Sequence, residues 1–310
     1  MTNLTFALPS KGRLKDNAAE WLKRCGFKLT QAGGERSYRA SLKGLPDVDV
    51  HLLSAREIAE GLLSGRLHFG VTGEDLLHDL STDLDAQVHV TRRLGFGGAT
   101  LVVAVPEAWL DVETMADLEA AGAQFRASRG HRMRVATKYL NATRRFFSAR
   151  SVGEYRLVYS AGATEAAPAS GTAELIVDIT TSGATLTANR LKILKDGRML
   201  DSEAALTASL SADWSVSART AASVFLASVD AEAAASESRQ LITAKVIPEA
   251  LATQLGLRDV TGNTAICDSG SVAHSSQKLC ENGLGPVSVA RIHYIFSEKR
   301  QSFDDLMKKI

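Results

Sequence analysis

The stretch DITTSGATL, residues 178–186, places one carboxylate, several hydroxyls and a glycine directly after the apolar residues LIV. Small residues let backbone N–H groups approach an anion, and the start of a following helix adds a favourable dipole. The hydroxyl donors are Thr180, Thr181, Ser182 and Thr185. Asp178, at the strand end, can accept hydrogen bonds from ribose hydroxyls or hold a metal-bound water. The stretch therefore indicates a phosphate-binding turn, and an ordinary capped strand-to-helix turn of the same composition stays open.

Two cationic residues lie between the end of the first predicted strand and the start of the following helix. Lys11 and Arg13 flank Gly12 in PSKGRL. Both can reach a triphosphate or pyrophosphate, Arg13 through two parallel hydrogen bonds. Cations in the first turn of a helix oppose its dipole. This placement favours anion binding, with a solvated first helical turn as the alternative.

Further strand ends also carry polar groups. Gly73 and Asp75 belong to VTGED, in which the acids can also be first-turn residues that simply complement a helix dipole. Thr137 ends a strand in RVATKYLN, and Glu165 is the one acid in the small-residue loop GATEAAPASG. No segment matches GxxxxGK[ST] or GxGxxG, so neither a P-loop nucleoside triphosphatase nor a Rossmann dinucleotide site is supported.

The elements that must position these groups alternate between strands and helices. A strand at 4–8 is followed by helical spacing of apolar residues over 14–25. Further strands are predicted at 37–42, 48–53, 67–72, 88–94, 100–105, 133–137, 155–160 and 174–179, and further helices at 55–64 and 138–148. This alternation predicts an α/β fold with mainly parallel sheets, whose active site lies at the carboxyl ends of strands. GFGG, residues 95–98, is predicted to be a hinge or domain crossover.

The last part of the chain has a different pattern. An Ala-rich helix is predicted at 213–236, then a strand at 239–247 and a short helix at 248–255. Residues 261–285 are rich in Gly, Ser and Asn and are predicted to be a loop. A strand at 287–296 and a helix at 303–310 follow. This tail is predicted to be a small separate α+β module.

Bulk properties narrow the class of protein. The formal net charge of +1 gives no global field that favours nucleic acid or an anionic membrane. Three cysteines without CxxC spacing fit reduced thiols in a cytoplasmic protein. The first apolar run is too short for a signal peptide, and no window approaches 18 apolar residues. The seven histidines show no HxxxH spacing, and no protein metal site is predicted.

Several segments, in this order, carry a resemblance to a known family. They are LPSKGRL near the start, GVTGEDLL at 70–77, RVATKYLNATRRFF at 134–147, EAAP at 165–168 and AELIVDITTSGATL at 173–186. EAAP and the long segment after it match a signature of an E-x-x-P loop, a strand and D-x-x-x-[ST]-G-x-T-[LM]. Over roughly residues 4–210 the chain resembles the ATP phosphoribosyltransferases, which catalyse the first step of histidine biosynthesis.

The resemblance implies a fold and a reaction. The family joins ATP to 5-phosphoribosyl 1-pyrophosphate with Mg²⁺, giving phosphoribosyl-ATP and pyrophosphate. Its catalytic core has two α/β domains like a type II periplasmic-binding protein, with the active site between them. The expected domains are residues 1–95 with 186–236 as a discontinuous first domain, 96–185 as a second domain with the phosphoribosyl-binding loop, and 237–310 as a C-terminal module.

The resemblance also assigns roles to residues. Asp178 with Thr181, Ser182, Gly183, Ala184 and Thr185 is expected to bind phosphoribosyl pyrophosphate. Arg13, Gly73, Asp75 and Thr137 are expected to contact ATP. The catalytic set is Lys11, Arg13, Glu165 and Asp178, in which the cations face phosphates and Asp178 lies near the ribose hydroxyls. Mg²⁺ is expected to arrive largely with the diphosphate.

The tail leaves two forms of the family open. A short form needs a partner subunit resembling a histidyl-tRNA synthetase, and a long form has a ferredoxin-like C-terminal module that binds histidine as a feedback inhibitor. The tail does not clearly give the complete module, so a packing or homo-oligomerisation role stays open beside histidine sensing. A non-catalytic ligand-binding protein of the same shape, or a catalytically dead homologue, are the competing hypotheses. The intact DITTSGATL argues against the dead homologue.

Overall fold

The computed structural model describes residues 3–31 and 38–310. The strands are β1 Leu4–Pro9, β2 Lys28–Gln31, β3 Arg39–Lys43, β4 Leu45–Leu53, β5 Phe69–Gly73, β6 Val88–Arg93, β7 Ala99–Pro106, β8 Met133–Thr137, β9 Tyr155–Tyr159, β10 Leu175–Thr180, β11 Leu191–Ser202, β12 Ala204–Ser209, β13 Ser238–Thr243, β14 Arg258–Thr261, β15 Thr264–Asp268 and β16 Val287–Arg291. The helices are α1 Gly12–Arg24, α2 Ala55–Leu63, α3 Glu74–Leu80, α4 Met115–Arg129, α5 Leu140–Ala149, α6 Ala184–Ala188, α7 Val216–Ser236, α8 Glu249–Gln254, α9 Val272–Glu281 and α10 Gln301–Met307. The predicted strand at 37–42 corresponds to β3, and its residue 37 lies outside the described residues.

The first sheet has the strand order β2-β3-β4-β1-β5-β12-β6. Its central strand β1 pairs in parallel with β4 and with β5, and β12 is inserted antiparallel between β5 and β6. Helices cover both faces, with Trp21 and Phe225 packed on one side and Ile58 and Leu77 on the other. Burial on both faces explains why the central strands are continuous apolar runs.

The second sheet repeats this arrangement in the order β11-β7-β10-β8-β9. Its strand β8 pairs in parallel with β10 and β9, and β7 is inserted antiparallel between β10 and β11. In each sheet the inserted antiparallel strand is the one that arrives from the other sheet. The α/β class with parallel central strands is therefore confirmed, and antiparallel pairs, including those of the inserted strands β7 and β12, complete both sheets.

The chain crosses between these two sheets twice. It leaves the first sheet after β6 and enters β7 through residues 94–98, which contain GFGG, and it returns between β11 and β12 at residue 203. Because β11 pairs with β7, its residues belong with the second sheet. We therefore propose two catalytic units. The first consists of residues 3–93 and 204–236, and the second consists of residues 99–202. The chain thus returns to the first unit after residue 202, and not at residue 186 as expected from the sequence.

A third sheet has the order β14-β15-β13-β16, with every neighbouring pair antiparallel. In chain order the elements are β13, α8, β14, β15, α9 and β16, which is the complete βαββαβ arrangement of a ferredoxin-like module. The predicted loop at 261–285 is wrong, because it contains β15 and α9. The predicted strand at 287–296 is too long, since β16 ends at Arg291.

The last helix leaves this module and packs on the first unit. Leu306 of α10 is fully buried in the core beneath the first sheet. Ser302 donates from its backbone N–H and from its hydroxyl to Asp230 of α7, at 3.0 and 2.5 Å. The segment 237–310 is thus not one separate module, because its final helix completes the apolar core of another unit. Among the described residues, no helix is both long and apolar enough to cross a lipid bilayer.

Candidate active site

The loops that follow β1 and β10 both border the crossover between the two sheets. A methyl group placed on Gly97 would lie 3.4 Å from Cδ1 of Leu14 in α1. The hydroxyl of Thr181, in the loop after β10, donates to the carbonyl of Gly98 at 3.1 Å. The predicted phosphate turn and the start of α1 are therefore brought to the same short segment of chain, as the carboxyl ends of their strands require.

Lys11 and Arg13 lie at the start of α1 with exposed side chains. The first turn of α1 holds no acidic residue, and its N-cap position, occupied by Lys11, makes no side-chain capping bond. Within residues 3–31 and 38–310, neither cation has an ion-pair partner, and neither bonds directly to the loop after β10. Two free cations beside uncapped backbone N–H groups form an arrangement suited to a polyphosphate.

The loop after β10 has the geometry of a small anion-binding turn. Gly183 adopts φ of +77°, a left-handed conformation that favours glycine. Its N–H is held by the hydroxyl of Thr180 at 2.9 Å, and the N–H of Ala184 points to the hydroxyl of Ser182 at 3.4 Å. The side chains of Thr181, Ser182 and Thr185 are exposed. Since α6 has only five residues, hydroxyl and amide hydrogen bonds, rather than a long helix dipole, would have to carry the affinity for phosphate.

Asp178 is the centre of a cluster of polar groups at the ends of β8 and β10. Burial raises the pKa of its carboxyl above the ordinary value, while the N–H of Ile179, the ammonium of Lys138 and the hydroxyl of Thr164 oppose that rise. The neighbouring charge of Glu165 raises the pKa further. The structure thus brings together Asp178 and Glu165, which the sequence assigned to one site, and adds Lys138 and Thr164.

Asp75 is satisfied within the protein rather than exposed to the cleft. Its carboxylate accepts a hydrogen bond from the hydroxyl of Ser202 at 2.8 Å and another from the phenol of Tyr139 at 2.5 Å. Burial and the charge of Asp75 raise the pKa of Tyr139, so the phenol stays protonated and remains a donor. Thr137 is also buried, and its hydroxyl accepts the N–H of Tyr139 at 2.9 Å.

The structure therefore places Asp75 and Thr137 together, joined through Tyr139, in the wall beneath the cleft. A methyl group on Gly73 would lie 2.2 Å from a carboxylate oxygen of Asp75, so glycine is needed there for the acid to keep its position. The sequence analysis missed Tyr139 and Ser202. The position of Tyr139, two residues after Thr137, could have revealed it, whereas Ser202 lies 127 residues from Asp75 and has no local signal.

A cavity of about 500 Å³ opens beside the crossover. Its lining includes Thr181, Thr100, Glu203 and the ion pair of Glu74 with Arg93. The guanidinium nitrogens of Arg93 lie 2.9 to 3.2 Å from the carboxylate oxygens of Glu74. Asp178 is not part of its lining. No group of three or more metal-ligating side chains occurs within the described ranges. The cavity lining combines hydroxyls with acidic side chains and the ion-paired Arg93.

The fold and the site define a class: a two-domain α/β protein whose candidate site suits phosphorylated ligands. A sequence model of the ATP phosphoribosyltransferase family matches residues 54–225. The ATP phosphoribosyltransferase of Caulobacter vibrioides (strain NA1000 / CB15N) is 48% identical, over 98% of this chain and 96% of its own length. That of Rhodopseudomonas palustris (strain HaA2) is 47% identical, over 97% and 96%. The chain belongs to the ATP phosphoribosyltransferase family, whose reaction is the first step of histidine biosynthesis.

A solved structure agrees with the fold. The ATP phosphoribosyl transferase (HisG:HisZ) complex from Thermotoga maritima contains a chain that aligns with a TM-score of 0.52 and 24% identity, over 66% of this chain and 87% of that chain. The likeness concerns the two-domain core, which has the arrangement of a type II periplasmic-binding protein. By family the chain is a transferase of the glycosyltransferase type.

Proposed function

We propose that this chain joins ATP to 5-phosphoribosyl 1-pyrophosphate in the cleft beside the crossover, giving phosphoribosyl-ATP and pyrophosphate. The observation that carries the proposal is the exposed hydroxyl turn that follows Asp178. Its Thr181 contacts Gly98 in the crossover, and Leu14 of α1, the helix that starts beside the free cations, lies next to Gly97. The turn lies within the part of the chain that matches the family. A bound sugar phosphate at the turn would direct its other end toward the cations.

The turn is proposed to bind the 5-phosphate of the ribose. Thr181, Ser182 and Thr185 offer hydroxyls, and Gly183 and Ala184 offer backbone N–H groups once Thr180 and Ser182 rotate away. Asp178 is proposed to accept hydrogen bonds from the ribose hydroxyls. Its raised pKa reflects a carboxylate without enough partners in the free protein, and two hydroxyl donors would supply them.

ATP is proposed to bind against the wall formed by the first unit. Arg13 is the direct phosphate contact. Gly73, Asp75 and Thr137 act by shaping that wall, because Asp75 and Thr137 are buried and already hydrogen-bonded. The family resemblance alone implies that these residues contact the nucleotide directly. The role proposed here is narrower.

The chemistry requires little covalent participation by the protein. N1 of the adenine attacks the anomeric carbon as pyrophosphate leaves, and the ribose passes through a state with oxocarbenium character. Lys11 and Arg13 are proposed to stabilise the charge on the leaving pyrophosphate. Asp178 and Glu165 place negative charge near the positively charged sugar. Positioning of the two substrates then accounts for much of the rate.

Mg²⁺ is proposed to enter with the diphosphate of the substrate. Such an ion would keep several waters, as Mg²⁺ bound to a diphosphate does. When bound, Mg²⁺ neutralises charge on the pyrophosphate. The chain's own residues orient the sugar and hold its 5-phosphate.

We propose that the chain is the long form of the family, with histidine as a feedback inhibitor sensed by the ferredoxin-like module of β13 to β16. The complete βαββαβ order supports this role. A homo-oligomer that acts in the cytoplasm is expected. The alternative is a synthetase-like partner subunit, because the similar chain from Thermotoga maritima belongs to a HisG:HisZ complex.

One assay tests the function. Purified protein is mixed with ATP, Mg²⁺ and phosphoribosyl pyrophosphate, and the absorbance of the phosphoribosyl-ATP product is followed. We expect turnover by this chain alone, and slower turnover when histidine is added. Absence of turnover, both alone and with a synthetase-like subunit, would contradict the proposed activity. Turnover that starts only with the subunit would contradict the long form.

A further inference from the structure

A carboxylate of the first unit caps a helix of the second. Asp79, on α3, accepts hydrogen bonds from the backbone N–H groups of Asn141 and Ala142, both at 2.9 Å. These amides belong to the first turn of α5, whose own N-cap residue, Tyr139, makes no side-chain capping bond. Asp79 is only 1% exposed. The start of α5 therefore depends on an acid from across the unit boundary.

The turn just before α5 is held from the same side. Arg56 of α2 reaches the carbonyl of Lys138 at 3.5 Å and the second carboxylate oxygen of Asp79 at 3.6 Å. The phenol of Tyr139 donates to Asp75 of α3. Residues 137–139 are thus fixed on the second sheet by β8 and on the first unit by α2 and α3.

This turn carries a group that acts on the sugar side of the cleft. The ammonium of Lys138 lies close enough to Asp178 to lower the pKa of its carboxyl. A shift of the turn would change the charge around Asp178 and the wall formed by Asp75 and Tyr139 at the same time. Both sides of the reaction therefore depend on where α5 begins.

We propose that Asp79 is a positioning residue for phosphoribosyl transfer. By capping α5 across the boundary, it fixes the turn 137–139 and, through that turn, the alignment of the ribose side with the nucleotide side. The inference rests on the proposed function. A displacement of about 1 Å in an active site can reduce the rate of reaction on the order of 100-fold.

The test compares Asp79→Ala and Asp79→Asn with a matched cap that does not cross the boundary. Asp117 provides it, since its carboxylate accepts N–H groups of Glu113 and Thr114 at the start of α4, within the second unit. We expect Asp79→Ala to lower kcat about 10-fold or more. Asp79→Asn should lower kcat less, because its amide oxygen still accepts both N–H groups. Asp117→Ala should leave kcat within about twofold of wild type.

A second readout does not require activity. Hydrogen exchange of full-length protein should be faster in Asp79→Ala at residues 137–142, and unchanged there in Asp117→Ala. If wild type turns over and both Asp79 variants have the same kinetic constants as Asp117→Ala, the positioning role is overturned and the proposed function is not. Absence of turnover in wild type would overturn the proposed function and this inference together. Asp79→Asn keeps the comparison intact if the alanine variant does not fold.

Discussion

At the scale of single residues, two of the three acids that the sequence assigned to the site have different environments. Asp75 is enclosed and accepts from a serine and a tyrosine, whereas burial without enough donors raises the pKa of Asp178. An acid of the first kind holds structure in place, and an acid of the second kind is ready to accept a ligand's hydroxyls. The difference cannot be read from the residue type, which is the same at both positions.

Asp178→Asn should separate stability from activity. A raised pKa in the folded state means that the stability contributed by this group is fully present below its unfolded pKa and is lost as pH rises through the folded pKa. At neutral pH the neutral asparagine should therefore give a higher Tm than wild type. Loss of a charged acceptor should lower kcat/KM for phosphoribosyl pyrophosphate about 10- to 100-fold.

The pH dependence and a control variant complete that test. In wild type, kcat/KM should fall as pH is lowered through the raised pKa of Asp178, and the asparagine variant should lack this limb. Asp305→Asn is the control, because hydrogen bonds from Lys308 and Gln301 lower the pKa of Asp305, and its replacement should not raise the Tm. An asparagine variant at 178 with both lower Tm and unchanged activity would contradict the assignment.

Thr185→Ala should affect one substrate only. The exposed hydroxyl of Thr185 is proposed to donate to the 5-phosphate, and a hydrogen bond to a charged group is worth about 1.5–3 kcal/mol. The KM for phosphoribosyl pyrophosphate should therefore rise about 10-fold or more, while the KM for ATP stays the same. Thr187→Ala is the matched control, since the Thr187 hydroxyl bonds to the carbonyl of Gly183. Equal changes in both KM values would argue against the phosphate site.

At the scale of elements, the sequence predicted the central strands well and the C-terminal module poorly. Met133–Thr137 is observed with its predicted bounds, because a short apolar run between turn signals is a strong pattern. Helix α9 was missed since its buried face consists of Ser275 and Leu279, so its hydrophobic repeat is weak. Strand β12 was missed because three of its six residues are alanines, which are depleted in strands.

The pairings that build the site are equally hard to derive. The hydroxyl turn and the cations of α1 are recognisable locally, but the approach of Thr181 to Gly98 and of Leu14 to Gly97 depends on two crossings of the chain. The contact of Ser202 with Asp75 spans 127 residues. Local patterns therefore give the parts of the site, and only the order of strands gives their arrangement.

Helix α10 offers a test at this scale. Leu306→Ala would leave a space in the core of the first unit, where Leu306 is fully buried. Such a change costs about 2–5 kcal/mol in the free energy of unfolding, which denaturant unfolding would measure. Lys308 forms an exposed ion pair with Asp305, so Lys308→Ala should change the free energy of unfolding by less than about 0.5 kcal/mol. Equal stability of the two variants would show that α10 does not dock on that core.

At the scale of the whole molecule, the two catalytic units are joined by two crossings that lie side by side. The N–H of Leu94 donates to the carbonyl of Ala204, and the N–H of Ala204 donates to the carbonyl of Phe96. The contacts of α3 with α5 tie the units on one side, while the start of α1 and the loop after β10 border the crossing. Substrates that bind both units would therefore be expected to change the angle at this crossing.

Gly97→Ala should disturb that angle, and Gly95→Ala is its matched control. Both glycines adopt a left-handed φ, +69° and +70°, so alanine at either position should lower the free energy of unfolding by about 1–2 kcal/mol. A methyl group at Gly97 would also meet Leu14 and Ala204 at 3.4 Å, whereas one at Gly95 meets nothing within 4 Å.

We therefore expect similar losses of stability in the two variants and a loss of kcat in Gly97→Ala alone. The added methyl group would be in van der Waals contact with Leu14 of α1 and with Ala204, so a change of angle at the crossing during closure would press it against them. Small-angle scattering with and without both substrates would measure the domain closure directly, and closure should be smaller in Gly97→Ala than in Gly95→Ala. If both variants closed and turned over alike, the crossing would act as a passive connection, and the cleft would have to be aligned by other contacts between the units, such as those of α3 with α5 and β11.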